Sequence, residues 1–316
     1  MKRHLRRNNT IETSYYARLI PNKDRISERP RREHCSANSN QIDMMGLTPG
    51  QQVRIERPTE NGTTFALYTI DAYDEEEGEG EEEPDNAVYV GYTEIKDLED
   101  RLDLSSADSF PGTINAQVAA VGLTDAEAVA YSEFVEHLAD NDYNRELVVI
   151  APHGGFIEEH TDTQAQYLAQ QLPSNCVSVW LCKGFKKGGG AFGRWHITST
   201  DINEESFPML KTIYGRHFKY AIAFHGWGGD SICIGGSSED PDNLKYQIKK
   251  EIKKVVPDSI AVDIAGESGT CPEDFNGNEQ SNIVNRLGIT GVQIEQCSKA
   301  RDDYGSDIAK AVANVM

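Results

Sequence analysis

The sequence predicts an α/β protein: a largely parallel or mixed sheet flanked by helices, preceded by a small β-rich domain. Three observations carry this. From Thr124 onward, short apolar β-prone runs alternate with segments that carry helix-start signals, the pattern of sheet-and-helix layers. Ahead of them, residues 43–115 show period-two alternation and no helical period. The first 40 residues are polar, Arg- and Asn-rich and aperiodic, which reads as a disordered basic tail. The expected organisation is a tail over 1–40, a β-rich domain over 41–118 and an α/β domain over 120–316.

In the β-rich part, Val53-Arg-Ile-Glu-Arg57 and Thr64-Phe-Ala-Leu-Tyr-Thr-Ile70 alternate apolar and polar positions, and Ala87-Val-Tyr-Val-Gly91 is short and β-prone. Residues 74–85 are nearly all Glu, Asp and Gly; like charges repel, so they read as an exposed loop. Thr124-Asp-Ala-Glu127 is a capping box, and a helix is expected from it to about Ala139. A strand over 146–151 follows, then a helix opened by a second capping box at Thr161 and Gln164. Strands are expected over 176–182, 220–224, 231–234, 259–265 and 291–295. Helices are expected near 204–216, 242–256, 279–287 and 303–315.

Charge and cysteine content narrow the function. The chain of 316 residues carries 51 acidic and 31 basic residues, a net charge of −20. That argues against nucleic-acid binding, which needs a basic surface to neutralise phosphate. The excess of base is confined to residues 1–34, with ten Lys/Arg against four Asp/Glu. No apolar run reaches membrane-spanning length, and no apolar stretch follows the basic start, so a soluble cytoplasmic protein without a membrane partner is expected. The six cysteines form no C-x-x-C pair and read mostly as free thiols. The oligomeric state is left open.

Chemistry concentrates where strands end. In open α/β sheets, sites form past the carboxyl ends of strands. Leu147-Val-Val-Ile150 runs into Ala-Pro-His153-Gly-Gly-Phe-Ile-Glu158; the strand over 220–224 runs into His225; the strand over 291–295 finishes on Glu295. Two imidazoles and one carboxylate form a common catalytic zinc set that leaves a position for water. A separate carboxylate must then move the water's proton to the leaving amine, and Glu295 suits that role. The competing reading pairs Glu295 with Lys299 or Arg301. Glu159 and His160 compete as ligands, whereas His4, His34, His137 and His217 read as background.

An anionic substrate needs cations. Asn282 and Arg286 are four residues apart and share a helix face, with Asn285 beside them, and Arg can grip a carboxylate through two parallel hydrogen bonds. The basic, glycine-rich stretch from Lys183 to Arg194 is a second source. Its Gly188-x-Gly190-x-x-Gly193 is a weak dinucleotide match with no clear helix after it, and it is no P-loop.

Taken together, His153-Gly-Gly-x-Ile-Glu158, Trp195-His-Ile-Thr-Ser199, Phe224-His-Gly226, Asn285-Arg286 and Val292-Gln-Ile-Glu295 resemble the poly-γ-glutamate hydrolase family over about residues 146–316. The resemblance implies a carboxypeptidase-like α/β fold, zinc on His153, Glu158 and His225, Glu295 as the catalytic carboxylate, and attack on γ-linked glutamyl amides. It also implies that Arg286, with Asn285 or Asn282, grips a substrate carboxylate and that His196 is structural or touches substrate. Residues 1–120 have no counterpart in the small phage members. Two alternatives stand beside this expectation: a zinc deacylase or peptidase acting on another amide, and a non-catalytic, metal-stabilised binding module.

Overall fold

A computed structural model describes residues 14–22, 33–60, 62–73, 86–91, 101–102, 104, 109–237, 244–267 and 269–316. The acidic stretch 74–85 and His4 lie outside the described residues.

The amino-terminal part is a closed six-stranded barrel. Its strands are β1 (Ser14–Asn22), β2 (His34–Asn38), β3 (Gln52–Thr59), β4 (Gly62–Tyr73), β5 (Ala87–Gly91) and β6 (Phe110–Asn115), in the order β1-β5-β2-β4-β3-β6. Pairing of β1 with β6 closes the ring and leaves no open edge. The three strands expected in this region are β3, β4 and β5. Of the expected disordered tail, residues 1–13 and 23–32 lie outside the described residues; where it is described it is corrected, because Ser14–Asn22 and His34–Asn38 are strands. Their polar residues alternate with Ala17, Leu19, Cys35 and Ala37, which are buried in the barrel core. Such short alternations inside an Arg-rich context carry too little apolar weight to stand out before their partner strands are known.

The second part is a seven-stranded mixed sheet. Its strands are β7 (Phe134–Ala139), β8 (Leu147–Gly155), β9 (Val177–Gly184), β10 (Phe218–Trp227), β11 (Ile232–Gly236), β12 (Val262–Ile264) and β13 (Gly288–Cys297). The order is β12-β11-β13-β10-β8-β9-β7. The four central strands β13, β10, β8 and β9 are parallel, so their carboxyl ends share one edge; β7 and β11 run against their neighbours β9 and β13.

The central strands are apolar on both faces because both faces are covered. Along β8, Leu147, Val149 and Ala151 pack with Leu168, Ile248 and Ile308. Those residues belong to α3 (Thr161–Gln170), α6 (Leu244–Ile252) and α8 (Ser298–Ala313). Val148 and Ile150 face the other way, onto Trp195, Leu210 and Val284, carried by α4 (Ala191–Trp195), α5 (Pro208–Ile213) and α7 (Ile283–Leu287). Leu67 of β4 joins this second cluster, so the barrel packs on that side of the sheet.

The helix expected over 124–139 is corrected to α2 (Asp125–Tyr131) followed by strand β7. The capping box at Thr124 and Glu127 forms, but Ser132 takes a left-handed conformation (φ 58°) that ends the helix. Phe134 to Ala139 then pair along β9. The expected helix 204–216 is a 3₁₀ turn at Glu204–Ser206 and α5, and the helix near 279–287 shrinks to α7. Thr161 is the first residue of α3 rather than its cap, which is His160. Cys35, Cys176, Cys182 and Cys297 are free thiols, but Cys233 and Cys271 are joined as a disulfide, with Cα atoms 5.5 Å apart.

Candidate metal centre

His153, His225 and Glu295 lie near the carboxyl ends of β8, β10 and β13, three adjacent parallel strands. Each strand extends past its expected end, so His153 and His225, expected just beyond their strands, stand within them, as Glu295 does. His225 and Glu295 are in register across β10 and β13, and in-register neighbours project to the same face.

Glu158 reaches the same point through a five-residue turn. The Glu158 amide donates to the His153 carbonyl at 2.8 Å and closes the turn. The two glycines inside it are required. A Cβ at Gly154 would lie 2.6 Å from Asp162 Cβ and 2.9 Å from the Cys182 carbonyl, while Gly155 has φ +69°. Glu158 Oε2 accepts the Gly226 amide at 2.9 Å, which ties the turn to β10.

The donor atoms converge. His153 Nδ1 lies 3.0 Å from Glu158 Oε1 and 3.2 Å from His225 Nδ1, and His225 Nδ1 lies 3.5 Å from Glu158 Oε2. Bonds of about 2.1 Å around a tetrahedral zinc put neighbouring ligands roughly 3.4 Å apart, so the set fits such an ion. His153 Nε2 donates to the Ile197 carbonyl at 2.8 Å, which selects the tautomer that leaves Nδ1 bare for a metal. His225 Nε2 is 3.5 Å from Ser199 Oγ. His153, His225 and Glu158 are all buried.

His196 belongs to this cluster. It offers a ligand atom within 4.8 Å of those of His153 and Glu158. Its Nε2 lies 3.8 Å from Glu158 Oε1, and its ring stacks on Phe192 with centroids 4.3 Å apart. Its Nδ1 pairs with Glu33 at 2.7 Å. Glu33 stands in the stretch that reads as tail and had no local signal; its partner is 163 residues away.

Electrostatics are those of a buried, mixed-charge cluster. Burial opposes ionisation of Glu158, but the charges and hydrogen bonds of His153 and His225 outweigh it and hold the carboxyl well below its usual range. Glu295 behaves oppositely. Burial, helped by the Glu158 charge and opposed by His225, raises it to about 7. Burial and the His153 charge lower His196, against the pull of Glu33 and Glu158.

The other sequence candidates are sorted by the same contacts. Among the described residues neither Lys299 nor Arg301 is ion-paired to Glu295. Arg301 instead donates to the Glu159 carbonyl at 2.8 Å and to the Gln296 carbonyl. Glu159 is exposed, and His160 faces Asp302 at 3.4 Å, away from the cluster. Lys183 is held in β9 by Asp125 at 2.8 Å and Asp162 at 3.1 Å, so it is no free cation. His137 pairs with Asp125. His34 is more than background, because it bridges Asp71 and Asp201.

The residues of α7 expected to grip substrate are engaged by contacts within the protein. Arg286 donates to Glu204 at 3.1 Å and to the Ile202 carbonyl. It precedes Gly288, the start of β13, whereas Glu295 stands seven residues along that strand. α7 folds back along β13, so that Asn285 lies against Gly291. Asn285 donates to the carbonyls of Gly277 and Glu279 at 2.7 and 2.8 Å. Asn282 caps α7 and donates to Gln293 at 2.7 Å.

Fold and cluster together define a mixed-sheet α/β protein with residues at the carboxyl edge of the sheet that could hold a metal ion. A profile of the poly-gamma-glutamate hydrolase family matches residues 128–313, and the chain belongs to that family. The SPbeta prophage-derived UPF0714 protein YoqZ of Bacillus subtilis (strain 168) is 26% identical over 163 residues, 50% of this chain and 51% of that protein. The chain thus spans about half the length of this curated relative. Among solved structures, a bacteriophage poly-gamma-glutamate hydrolase is 22% identical, covers 60% of this chain and 93% of its own, and has a TM-score of 0.46. A zinc-free form of YNDL is 20% identical, with 58% and 88% covered and a TM-score of 0.43.

Proposed function

We propose that this chain is a zinc-dependent amide hydrolase that cleaves γ-glutamyl linkages. The observation that carries the reading is the convergence of His153 Nδ1, His225 Nδ1 and the Glu158 carboxylate at 3.0–3.5 Å, with the in-register carboxylate Glu295 beside them. Family membership supports the bond type.

Zinc held there would polarise the scissile carbonyl and favour ionisation of the attacking water. The protein's own groups do the rest. The Ile197 carbonyl keeps His153 in one tautomer, and the Gly226 amide fixes the Glu158 carboxylate. Glu295 takes a proton from the attacking water and delivers it to the amide nitrogen as the C–N bond breaks.

The test is metal analysis combined with turnover of γ-glutamyl polymer, α-linked polyglutamate and N-acyl amides. One tightly held zinc per chain and cleavage of the γ-linked polymer alone are expected. Glu295→Gln should keep the metal and lose 10²-fold or more in turnover, roughly the contribution of a general acid–base group. Protein that holds no zinc, or a fully active Glu295→Gln, would refute the mechanism. Cleavage of α-linked or N-acyl amides instead would leave the metal chemistry and replace the substrate.

A further inference from the structure

The barrel is joined to the hydrolase part at the segment that orients the imidazoles. Residues 196–206 line the junction. Gln52 of β3 donates to the Asp201 carbonyl at 2.7 Å and accepts the Asn203 amide at 2.8 Å, while its own amide donates to Ser206 at 2.7 Å. The same segment holds the Ile197 carbonyl and the Ser199 hydroxyl that touch His153 and His225.

Glu33, next to the first residue of β2, makes the most direct connection. Its Oε1 accepts His196 Nδ1 at 2.7 Å, and its Oε2 accepts both the amide and the hydroxyl of Thr198 at 3.0 Å. Arg101, buried between the parts, lies 3.2 Å from the same carboxylate and donates to the carbonyls of Leu67 and His196. A carboxylate is acceptor-only, so the proton of this pair sits on His196 Nδ1. Nε2 of a neutral ring is then bare, and it is the nitrogen that faces Glu158 at 3.8 Å. Carboxylate–histidine pairs of this form orient ligand rings at metal sites.

We propose that Glu33, supplied by the barrel, is a positioning residue of the metal centre: by holding His196 Nδ1 it turns the bare Nε2 toward the His153–Glu158–His225 set. The barrel is therefore part of the active site and not an appended module. This rests on the metal-centre reading above. It gives residues before 120 a role that the family's match, which begins at residue 128, does not include.

Zinc affinity of the full chain, measured by competition with a chromophoric chelator, tests it apart from turnover. The visible spectrum of the cobalt-substituted protein provides a second readout. Glu33→Ala should weaken zinc binding about 10-fold or more, within the usual effect of removing such a partner, and shift the cobalt bands. Glu33→Gln keeps an acceptor for Nδ1 and should stay within threefold of wild type. His196→Ala should weaken zinc as much as Glu33→Ala, and the double variant no further. Thr198→Val, which loses only the hydroxyl bond, should bind zinc normally. Unchanged affinity in Glu33→Ala or in His196→Ala would overturn the proposal, and His196→Ala decides it even if Glu33→Ala fails to fold. A Glu33→Ala loss that persists in full on the His196→Ala background would overturn it too. Wild type that binds no zinc would remove this inference and the proposed function together; normal wild-type binding with unaffected variants would remove this inference alone.

Discussion

His34 should make the junction between barrel and hydrolase part sensitive to alkaline pH. Its Nδ1 lies 2.6 Å from Asp71 of β4 and its Nε2 lies 3.0 Å from Asp201 of the loop over 196–206. Burial works against a charged ring, but the hydrogen bonds to Asp201 and Asp71 and their charges prevail and raise it to about 9 from 6.5. A group whose pKa is raised by folding stabilises fully below its unfolded pKa, and that contribution is lost as pH rises through the folded value. The contribution is therefore complete below about pH 6.5, declines between 6.5 and 9, and is nearly absent at pH 10. The gap corresponds to ~3.4 kcal/mol at ~1.36 kcal/mol per pKa unit. Asp71 is 45% exposed, so solvent screening brings the expected value to about 2 kcal/mol. Urea unfolding of wild type and His34→Gln, at intervals from pH 6 to pH 10, isolates the effect as the difference between the two curves. The wild-type advantage should be largest at pH 6 and vanish near pH 10. A difference that is flat across this range, or that grows with pH, would refute the assignment of an imidazolium bridging two carboxylates.

Three further outcomes follow from particular contacts. Gly154→Ala forces a Cβ to within 2.6 Å of Asp162 Cβ and should destabilise by about 1–3 kcal/mol, the usual cost of overpacking; a wild-type urea midpoint with normal zinc content would show that the turn yields freely. Arg286→Ala should lower stability by about 1–3 kcal/mol through loss of charge-assisted hydrogen bonds while KM for γ-glutamyl polymer stays within twofold. A large rise in KM at unchanged stability would return Arg286 to the substrate site. Opening the Cys233–Cys271 bridge, whose ends are 38 positions apart in sequence, should cost at most about 4 kcal/mol by loop-closure entropy; Cys271→Ser measured against wild type under non-reducing conditions checks it, and equal stabilities would mean the bridge constrains nothing.

Much of the hydrolase part was readable because its signals are local. The apolar run Leu147 to Ile150 marks a buried strand, and a His-Gly-Gly turn that delivers a Glu five residues later is encoded within one short segment. Gly154 and Gly155 are demanded by contacts made within and beside that turn. Helix ends were less legible. The capping box at Thr124 marks a start, but nothing in Phe134 to Ala139 distinguishes a helix continuation from an edge strand until β9 supplies the pairing. Arg286 shows the same limit in another form. Its four-residue spacing from Asn282 is a local fact, but its contacts with Glu204 and the Ile202 carbonyl come from a distant segment.

Sequence alone therefore decided the residue types of the candidate centre: His153 and Glu158 in one turn, and His225 and Glu295 each closing an apolar run. It could do so because strand periodicity and turn chemistry are set by neighbours a few residues apart. Tertiary structure alone decided that β13, β10 and β8 lie side by side, so that these groups meet. It also decided that the amino-terminal residues close a barrel, and that Glu33 crosses from that barrel to His196. Strand order and long-range hydrogen bonds arise from packing whole faces together, and no local pattern records which faces will meet.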